Sequence, residues 1–185
     1  MTHRTLADHV VDIAENSVKA GAKNVKVIIE ETQDSFSFTI EDDGPGIEDP
    51  ERVFDPFYTT RDPSVRKVGL GLPFLKQAAE LTGGYVELST SAGRGTRVTA
   101  WFNRRSVECQ PVGNVGEAIA TLLLSNPEVD WYVVRRKDGN GYEIDTKKLK
   151  DLVDWDPKNP KFASWVFKLL EELEREIEGG GPDER

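Results

Sequence analysis

Three short segments in the first hundred residues put glycine and polar residues where regular secondary structure begins or ends. They are Asp-Ile-Ala-Glu-Asn at 12–16, Asp-Gly-Pro-Gly at 43–46 and Gly-Leu-Gly-Leu at 69–72. The first lies in a predicted helix, the second follows a predicted strand, and the third opens another helix. Glycine-rich junctions that lead into a helix suit phosphate groups, because free backbone N–H groups point outward there. Together the three segments predict a nucleotide site, which none of them would predict alone.

Hydrophobic periodicity predicts a mixed α and β structure for residues 1–104. Leu6, Val10 and Ile13 begin a helical stripe that continues through Ser17 and Ala20, and Gly21 stands where a helix commonly ends. Clean alternation predicts two strands that form an antiparallel hairpin, and two more strands follow near the end of this part. The predicted helices are 5–20, 48–53 and 70–81, and the predicted strands are 24–30, 35–41, 85–90 and 96–103.

The composition changes at residues 103–111, and we expect a second unit beyond it. The predicted domains are a nucleotide-binding domain at 1–104, a small α/β extension at 105–178 and a disordered glycine-rich tail at 179–185. In the extension, the pattern predicts helices at 115–124, 146–153 and 161–178 and a hairpin formed by strands at 130–135 and 142–144. Trp131, Tyr132, Trp155 and Trp165 of this unit face a partner or form its own core.

Charge and composition exclude several classes of function. The formal net charge of −9 disfavours nucleic-acid binding, which needs many Lys or Arg contacts with phosphates. A single Cys excludes an internal disulfide, and two His beside it are too few for a zinc cluster. Because no apolar stretch approaches the roughly 20 residues that span a bilayer, we expect no membrane association and a cytoplasmic protein.

The helix over residues 5–20 carries the first candidate site residues. Asp12 and Asn16 lie one turn apart on one face, and Lys19 lies nearly one turn further. This stripe suits either a ligand site or an ordinary solvated helix face. Asp-Gly turns are common in proteins without a ligand there, so the turn at Asp43 by itself favours an ordinary turn, and the order of the segments has to decide between the two interpretations.

The order of five motifs resembles that of the GHKL ATPase family, which includes gyrase, the ninety-kilodalton heat-shock chaperone, histidine kinases and MutL. After the asparagine helix and the Asp-Gly turn come Phe-Asp-Pro-Phe at 54–57, the glycine motif at 69–72 and Gly-Arg-Gly-Thr at 93–96. The resemblance covers about residues 5–104. It implies an α+β fold, a two-layer α/β sandwich of the histidine kinase-like ATPase (Bergerat) type, followed here by the small C-terminal extension.

The resemblance also implies ATP and Mg2+ as cofactors and assigns roles to single residues. Asn16 would ligate Mg2+, Lys19 would reach a phosphate, and Asp43 would accept a hydrogen bond from the adenine amine. Gly46 would shape the adenine floor, and Thr96 would support the adenine end. The glycine motif would approach the phosphates and consists of Gly69, Leu70, Gly71 and Leu72. A lid would contact ribose or the γ-phosphate through Tyr58, Arg61, Arg66 and Lys67.

Position 12 decides which chemistry the resemblance implies. Hydrolysing members of the family have a glutamate there, four residues before the metal-binding asparagine. Asp12 keeps the carboxylate with a shorter reach, so general-base catalysis remains feasible. Glu15 would assist through a water or be a plain surface residue. His9 lies one turn from Asp12 on the same helix, and we therefore expect no autophosphorylation of His9 by its own site.

The leading hypothesis is an Mg2+-dependent ATP-binding protein that is an ATPase or a protein kinase-like phosphotransferase acting on a separate protein, in signal transduction. The alternative is a non-catalytic module that binds ATP and changes its interactions. A DNA-repair or topoisomerase role is a distant third. The sequence predicts neither the partner nor the oligomeric state.

Overall fold

The computed structural model describes residues 4–47, 49–55, 71–90 and 92–178. Within these ranges the chain forms five α-helices and six β-strands. The helices are α1 (Leu6–Lys19), α2 (Gly71–Leu81), α3 (Val115–Ser125), α4 (Thr146–Leu152) and α5 (Pro160–Glu178). The strands are β1 (Asn24–Glu31), β2 (Ser35–Asp42), β3 (Tyr85–Thr90), β4 (Thr96–Asn103), β5 (Asp130–Lys137) and β6 (Asn140–Asp145). The predicted tail at 179–185 lies outside the described residues.

The limits of α1 follow from its local sequence. Thr5 and Asp8 form a capping box, in which each side chain accepts a hydrogen bond from the backbone N–H of the other residue. Leu6 and Ile13 lie on the face that packs into the core, where both are buried. Gly21 follows the helix with φ of 97°, a conformation that costs glycine little because it has no Cβ. The helix predicted over residues 5–20 is therefore confirmed.

The six strands form one sheet in the order β3-β4-β2-β1-β5-β6. Four of the strand pairs are antiparallel, including the predicted β1–β2 and β5–β6 hairpins, and β1 pairs with β5 in parallel. The β5–β6 turn contains Asp138 and Gly139, which have φ of 47° and 88°. Two successive positive φ values match the twist of a tight hairpin. A parallel pair instead requires a long crossover, and the chain between β1 and β5 supplies it.

One face of the sheet is apolar and packs against helices. Alternation along the strands sends their apolar side chains to this face, where they join buried side chains of α1, α2, α3 and α5 in a common core. The opposite face carries polar side chains such as Glu41 and Arg97, which form an ion pair of 3.0 Å. The arrangement is a two-layer α/β sandwich, as predicted.

Residues after 104 share this sheet and this core. β5 continues the sheet beside β1, and Trp131 of β5 is only 1% exposed. Arg135 of β5, also 1% exposed, donates to Glu31 of β1 at 2.7 Å and to Glu174 of α5 at 3.0 Å. Backbone and buried charges thus join the two predicted units, and their division at residue 104 stays a prediction.

One predicted element is wrong. Residues 50–54 form turns instead of the helix expected near 48–53. The backbone bonds there run from Arg52 N to Asp49 O and from Asp55 N to Arg52 O, at 3.2 and 3.0 Å. Each spans three residues, so the segment closes tight turns without the four-residue bonds of an α-helix. No helix in the described ranges is long and apolar enough to cross a membrane.

Candidate functional site

A cavity lies at the end of β2, between α1 and the loop that follows the strand. Its walls come from α1, β2, residues 45–47, the start of α2, and β4. Apolar side chains line most of it, and a few polar side chains converge on it, which is the usual form of a small-molecule site. The apolar lining includes Ile13, Ile40, Ile47, Leu72 and Val98; the polar lining is Asn16, Ser17, Asp42 and Thr96; Ala20, Pro45 and Gly46 complete the wall.

The carboxylate of the cavity belongs to Asp42. Its Oδ2 accepts a hydrogen bond from Ser17 Oγ at 2.6 Å, and its Oδ1 accepts one from Gly44 N at 2.9 Å. Ser17 comes from α1 and Asp42 from β2, so this contact joins the two walls of the cavity. The two bonds fix the plane of the carboxylate.

Asp43, the residue predicted to contact adenine, does not line the cavity. Its Oδ1 accepts from the backbone N–H groups of Lys23 and Asn24 at 2.8 and 3.0 Å, and its Oδ2 accepts from Asn24 Nδ2 at 2.7 Å. Burial alone would raise the pKa of Asp43, but the hydrogen bonds from Asn24 and Lys23 outweigh it and lower the pKa below its ordinary value. In the structure this carboxylate ties the loop after β2 to the start of β1.

The loop after β2 is held against the β3–β4 turn. Gly93 N donates to Pro45 O at 2.8 Å, and Ile47 N donates to Thr90 Oγ1 at 2.8 Å. These contacts place Gly46, which has φ of 81°, and Ile47 in the cavity wall. The predicted position of Gly46 beside a ligand is therefore compatible with the structure.

Thr96 lies on the cavity wall at the start of β4. Its hydroxyl is 3.2 Å from Thr90 Oγ1 across the β3–β4 pair. The preceding Gly95 has φ of 87°, and a Cβ there would lie 1.9 Å from the backbone oxygen of Asp42. The close approach of two backbones at Gly95 therefore brings Thr96 and Asp42 to the same cavity.

Asp12 and Asn16 of α1 meet the start of α2 at Gly71. A Cβ at Gly71 would lie 2.0 Å from Asp12 Oδ2 and 3.5 Å from Asn16 Nδ2. Asn16 Nδ2 is buried and has no hydrogen-bond partner among the described residues. A buried amide left in this way is costly unless a ligand or water completes it. The structure thus brings together the residues to which the resemblance assigns catalysis, the metal and the phosphates, namely Asp12, Asn16 and Gly71.

Other predicted residues fall outside this cavity or outside the described ranges. Lys19 is exposed in the last turn of α1 and is not part of the wall, and Glu15 is half-buried on the same helix. The residues that lie outside the described ranges are Tyr58, Arg61, Arg66, Lys67, Gly69 and Leu70.

Sequence reasoning missed Asp42 and Ser17. The signal for Asp42 was present, because Phe36, Phe38 and Ile40 alternate on the core face of β2 and the next position in that register is Asp42. Asp43 falls on the other parity. Ser17 was noted only as part of the helical stripe, since its contact with Asp42 joins two elements that local periodicity does not relate.

The residues at the cavity fit both predicted cofactors. The apolar walls suit the faces of a purine ring, and the carboxylate of Asp42 is an acceptor for an amine at its edge. The described residues contain no group of three or more His, Cys, Asp or Glu that could hold a metal. Mg2+ commonly takes only one or two protein oxygens and completes its shell with phosphates and water, so the side-chain oxygen of Asn16 would be enough beside a nucleotide.

A family model matches residues 2–106, more than half of the chain. It describes the histidine kinase-, DNA gyrase B- and HSP90-like ATPases. The chain therefore belongs to this family of ATPases and is an ATP-binding protein of the histidine kinase-like type.

Similar proteins include bacterial sensor kinases. The sensor histidine kinase CpxA of Escherichia coli is 33% identical over 96 residues, covering 49% of this chain and 21% of that kinase. The circadian input-output histidine kinase CikA of Synechococcus elongatus is 26% identical over 154 residues, covering 76% and 20%. The chain thus spans about a fifth of the length of these relatives.

The fold is also similar to that of a solved structure described as the N-terminal domain of a DNA repair protein. The match has a TM-score of 0.53 and 16% identity, and it covers 76% of this chain and 51% of the other. At this low sequence identity the match shows a similar fold and no more.

Proposed function

We propose that this protein uses ATP in an Mg2+-dependent reaction, releasing the γ-phosphate to water or transferring it to a separate protein partner. The observation that carries the proposal is the cavity whose mostly apolar wall includes both the carboxylate of Asp42 and the side chain of Asn16. The membership in the ATPase family supports ATP as the ligand. The similarity to sensor histidine kinases supports a protein partner and a role in signal transduction.

Asp42 takes the adenine-selecting role in this proposal, in place of Asp43. An ionised carboxylate only accepts hydrogen bonds, so it pairs with the 6-amino group of adenine and opposes the 6-carbonyl of guanine. Ile40 and Val98 would contact the ring faces, and Gly46 and Thr96 would line its edge.

Asn16 would hold Mg2+ through its side-chain oxygen, and the bound ion would neutralise phosphate charge during transfer. Asp12 would accept the proton of the attacking water or hydroxyl at its carboxylate. Lys19 and the residues at 69–72 are assigned to the phosphates. Tyr58, Arg61 and Lys67 keep their predicted contacts with ribose or the γ-phosphate.

A second candidate is an ATP-responsive module without turnover. It is favoured by the burial of Asp12 Oδ2 against Gly71, because a buried oxygen is less accessible to an attacking water than an exposed one. The shorter side chain of aspartate adds to this difficulty.

A matched pair of neighbouring variants tests the site. We expect Asp42→Asn to weaken ATP binding in a calorimetric titration by at least tenfold, because an amide offers a donor where the amine needs an acceptor. Asp43→Asn should leave ATP affinity unchanged and lower thermal stability. If Asp43→Asn weakened ATP binding and Asp42→Asn did not, the adenine role would return to Asp43. If neither variant weakened ATP binding, the cavity would be refuted as the adenine site.

Release of labelled phosphate then separates the two candidate functions. Turnover by the purified protein that depends on Mg2+ and disappears in Asp12→Asn supports the ATPase. Binding without turnover, unchanged by Asp12→Asn and by addition of cell extract as a source of phosphoacceptors, supports the module.

A further inference from the structure

Ser17 makes an unusual contact for a serine inside a helix. A helix-interior serine commonly bonds to a carbonyl one turn back or faces water. Ser17 is only 6% exposed, and its Oγ leaves α1 to donate to Asp42 Oδ2 at 2.6 Å. The short distance is typical of a hydroxyl that donates to a charged carboxylate.

The contact matters because an aspartate side chain does not fix its own orientation. The terminal torsion of Asp has a broad distribution, so a carboxylate without partners samples many planes. Here Ser17 Oγ holds Oδ2 and Gly44 N holds Oδ1 at 2.9 Å. Each oxygen has two lone pairs, so each can accept one further hydrogen bond beyond these contacts, and Asp42 lines the cavity.

We propose that Ser17 is a positioning residue that determines nucleotide specificity by orienting the Asp42 carboxylate toward the 6-position of the purine. The inference rests on the proposed function, in which Asp42 selects adenine. Selectivity for the 6-amino group over a 6-carbonyl requires a fixed acceptor, because a carboxylate that can rotate away tolerates the wrong base.

Of the two hydrogen bonds that hold the carboxylate, only the one from Ser17 comes from a side chain, so a substitution can remove it. Gly44 N is a backbone donor that remains in any variant. Ser17→Ala removes the hydroxyl and also improves helix propensity, which protects the fold of α1. Ser17→Cys keeps the size of the side chain but offers only a weak S–H donor, and Ser17→Thr retains the hydroxyl.

The experiment compares the dissociation constants of ATP and GTP by calorimetric titration for the intact chain and each variant. We expect Ser17→Ala and Ser17→Cys to lower the preference for ATP over GTP by about tenfold, mainly through weaker ATP binding. Ser17→Thr should keep most of the preference. Because a ratio of two affinities is measured on the same folded protein, a general loss of stability does not produce this pattern.

A matched control comes from the other face of β2. Thr39 is 8% exposed, and its hydroxyl lies 3.1 Å from Thr99 Oγ1, away from the cavity. Thr39→Val removes a similar partly buried hydroxyl, and we expect the ATP to GTP ratio to stay at the wild-type value.

The outcomes separate this inference from the proposed function. If the unchanged protein binds neither nucleotide, or binds both equally, the proposed function fails. If the unchanged protein prefers ATP and Ser17→Cys keeps that preference, Asp42 can still select adenine but Ser17 does not position it, and the inference is overturned. Should Ser17→Ala fold poorly, the Cys and Thr variants still decide the question.

Discussion

In the proposed ATP-consuming reaction, Gly71→Ala should lower the rate far more than it lowers the stability of the fold. The Cβ of Gly71→Ala would lie 2.0 Å from Asp12 Oδ2 and 3.2 Å from Asp12 Cγ. Because such contacts essentially never fall below 3.0 Å, the carboxylate oxygen has to move by about 1 Å. A displacement of about 1 Å in a group that acts on the reacting atoms costs on the order of 100-fold in rate. This corresponds to about 2.7 kcal/mol of transition-state free energy.

The effect on stability should be small, because two contributions oppose each other. Alanine is a better helix former than glycine by at most about 1 kcal/mol at the first residue of α2, and the clash falls on the end of a flexible side chain, which can move at little cost. We therefore expect the melting temperature of Gly71→Ala to stay within about 4 °C of the unchanged protein.

The assay is release of phosphate from saturating ATP, with ATP affinity and melting temperature measured on the same samples. Gln77→Ala, an exposed substitution on α2, is the control and should match the unchanged protein. Removal of the carboxylate by Asp12→Ala should abolish the additional effect of Gly71→Ala in the double variant. Wild-type turnover by Gly71→Ala would refute the argument, because Asp12 would then not need its observed place against Gly71.

Further expectations concern stability. The hydrogen bonds that lower the pKa of Asp43 stabilise the fold above the ordinary pKa of the group, near 3.8, and this stabilisation is lost as the pH falls through the lowered pKa. Asp43→Asn should therefore make the melting temperature, measured by circular dichroism, decrease less steeply below about pH 4. The same decrease in the variant as in the unchanged protein would contradict this. Arg135→Ala removes the buried cation that joins Glu31 to Glu174 and leaves Glu31 with Arg104 and Lys137 at 3.3 and 3.8 Å. Chemical denaturation should show a loss of about 3 kcal/mol, and a loss below about 1 kcal/mol would show that Arg135 is dispensable. Gly113 has φ of 83°, and a Cβ there would lie 2.6 Å from Thr5 Oγ1, so Gly113→Ala should disturb the cap of α1 and lower the melting temperature; an unchanged value would contradict the strain.

Local pattern predicted most of the elements in the first hundred residues. Alternation in β2 and the helical stripe of α1 appear in the sequence because each element buries one face, and the spacing of buried residues follows its geometry. The segment at 50–54 was predicted poorly, because short helices and consecutive turns share the same local composition. It contains a proline and few apolar residues, so no periodic face distinguishes them.

The choice between adjacent carboxylates shows where local reasoning stopped. Asp42 and Asp43 are chemically identical, and the limits of a predicted strand are uncertain by one or two residues. Once β2 is seen to run to Asp42, its register points that side chain to the core face. Asp43 then turns to the N–H groups at the start of β1.

The sequence by itself determined most of the helices and strands in their order, the family resemblance and the residue types available for an ATP site. The tertiary structure decided which of these residues meet. The parallel pairing of β1 with β5, the hydrogen bond between Ser17 and Asp42, and the packing of Asp12 against Gly71 each join parts of the chain that are distant in sequence. Such contacts depend on how whole helices and strands pack and on which buried polar groups find hydrogen-bond partners in neighbouring elements. Hydrophobic periodicity, in contrast, indicates only the face that each element buries.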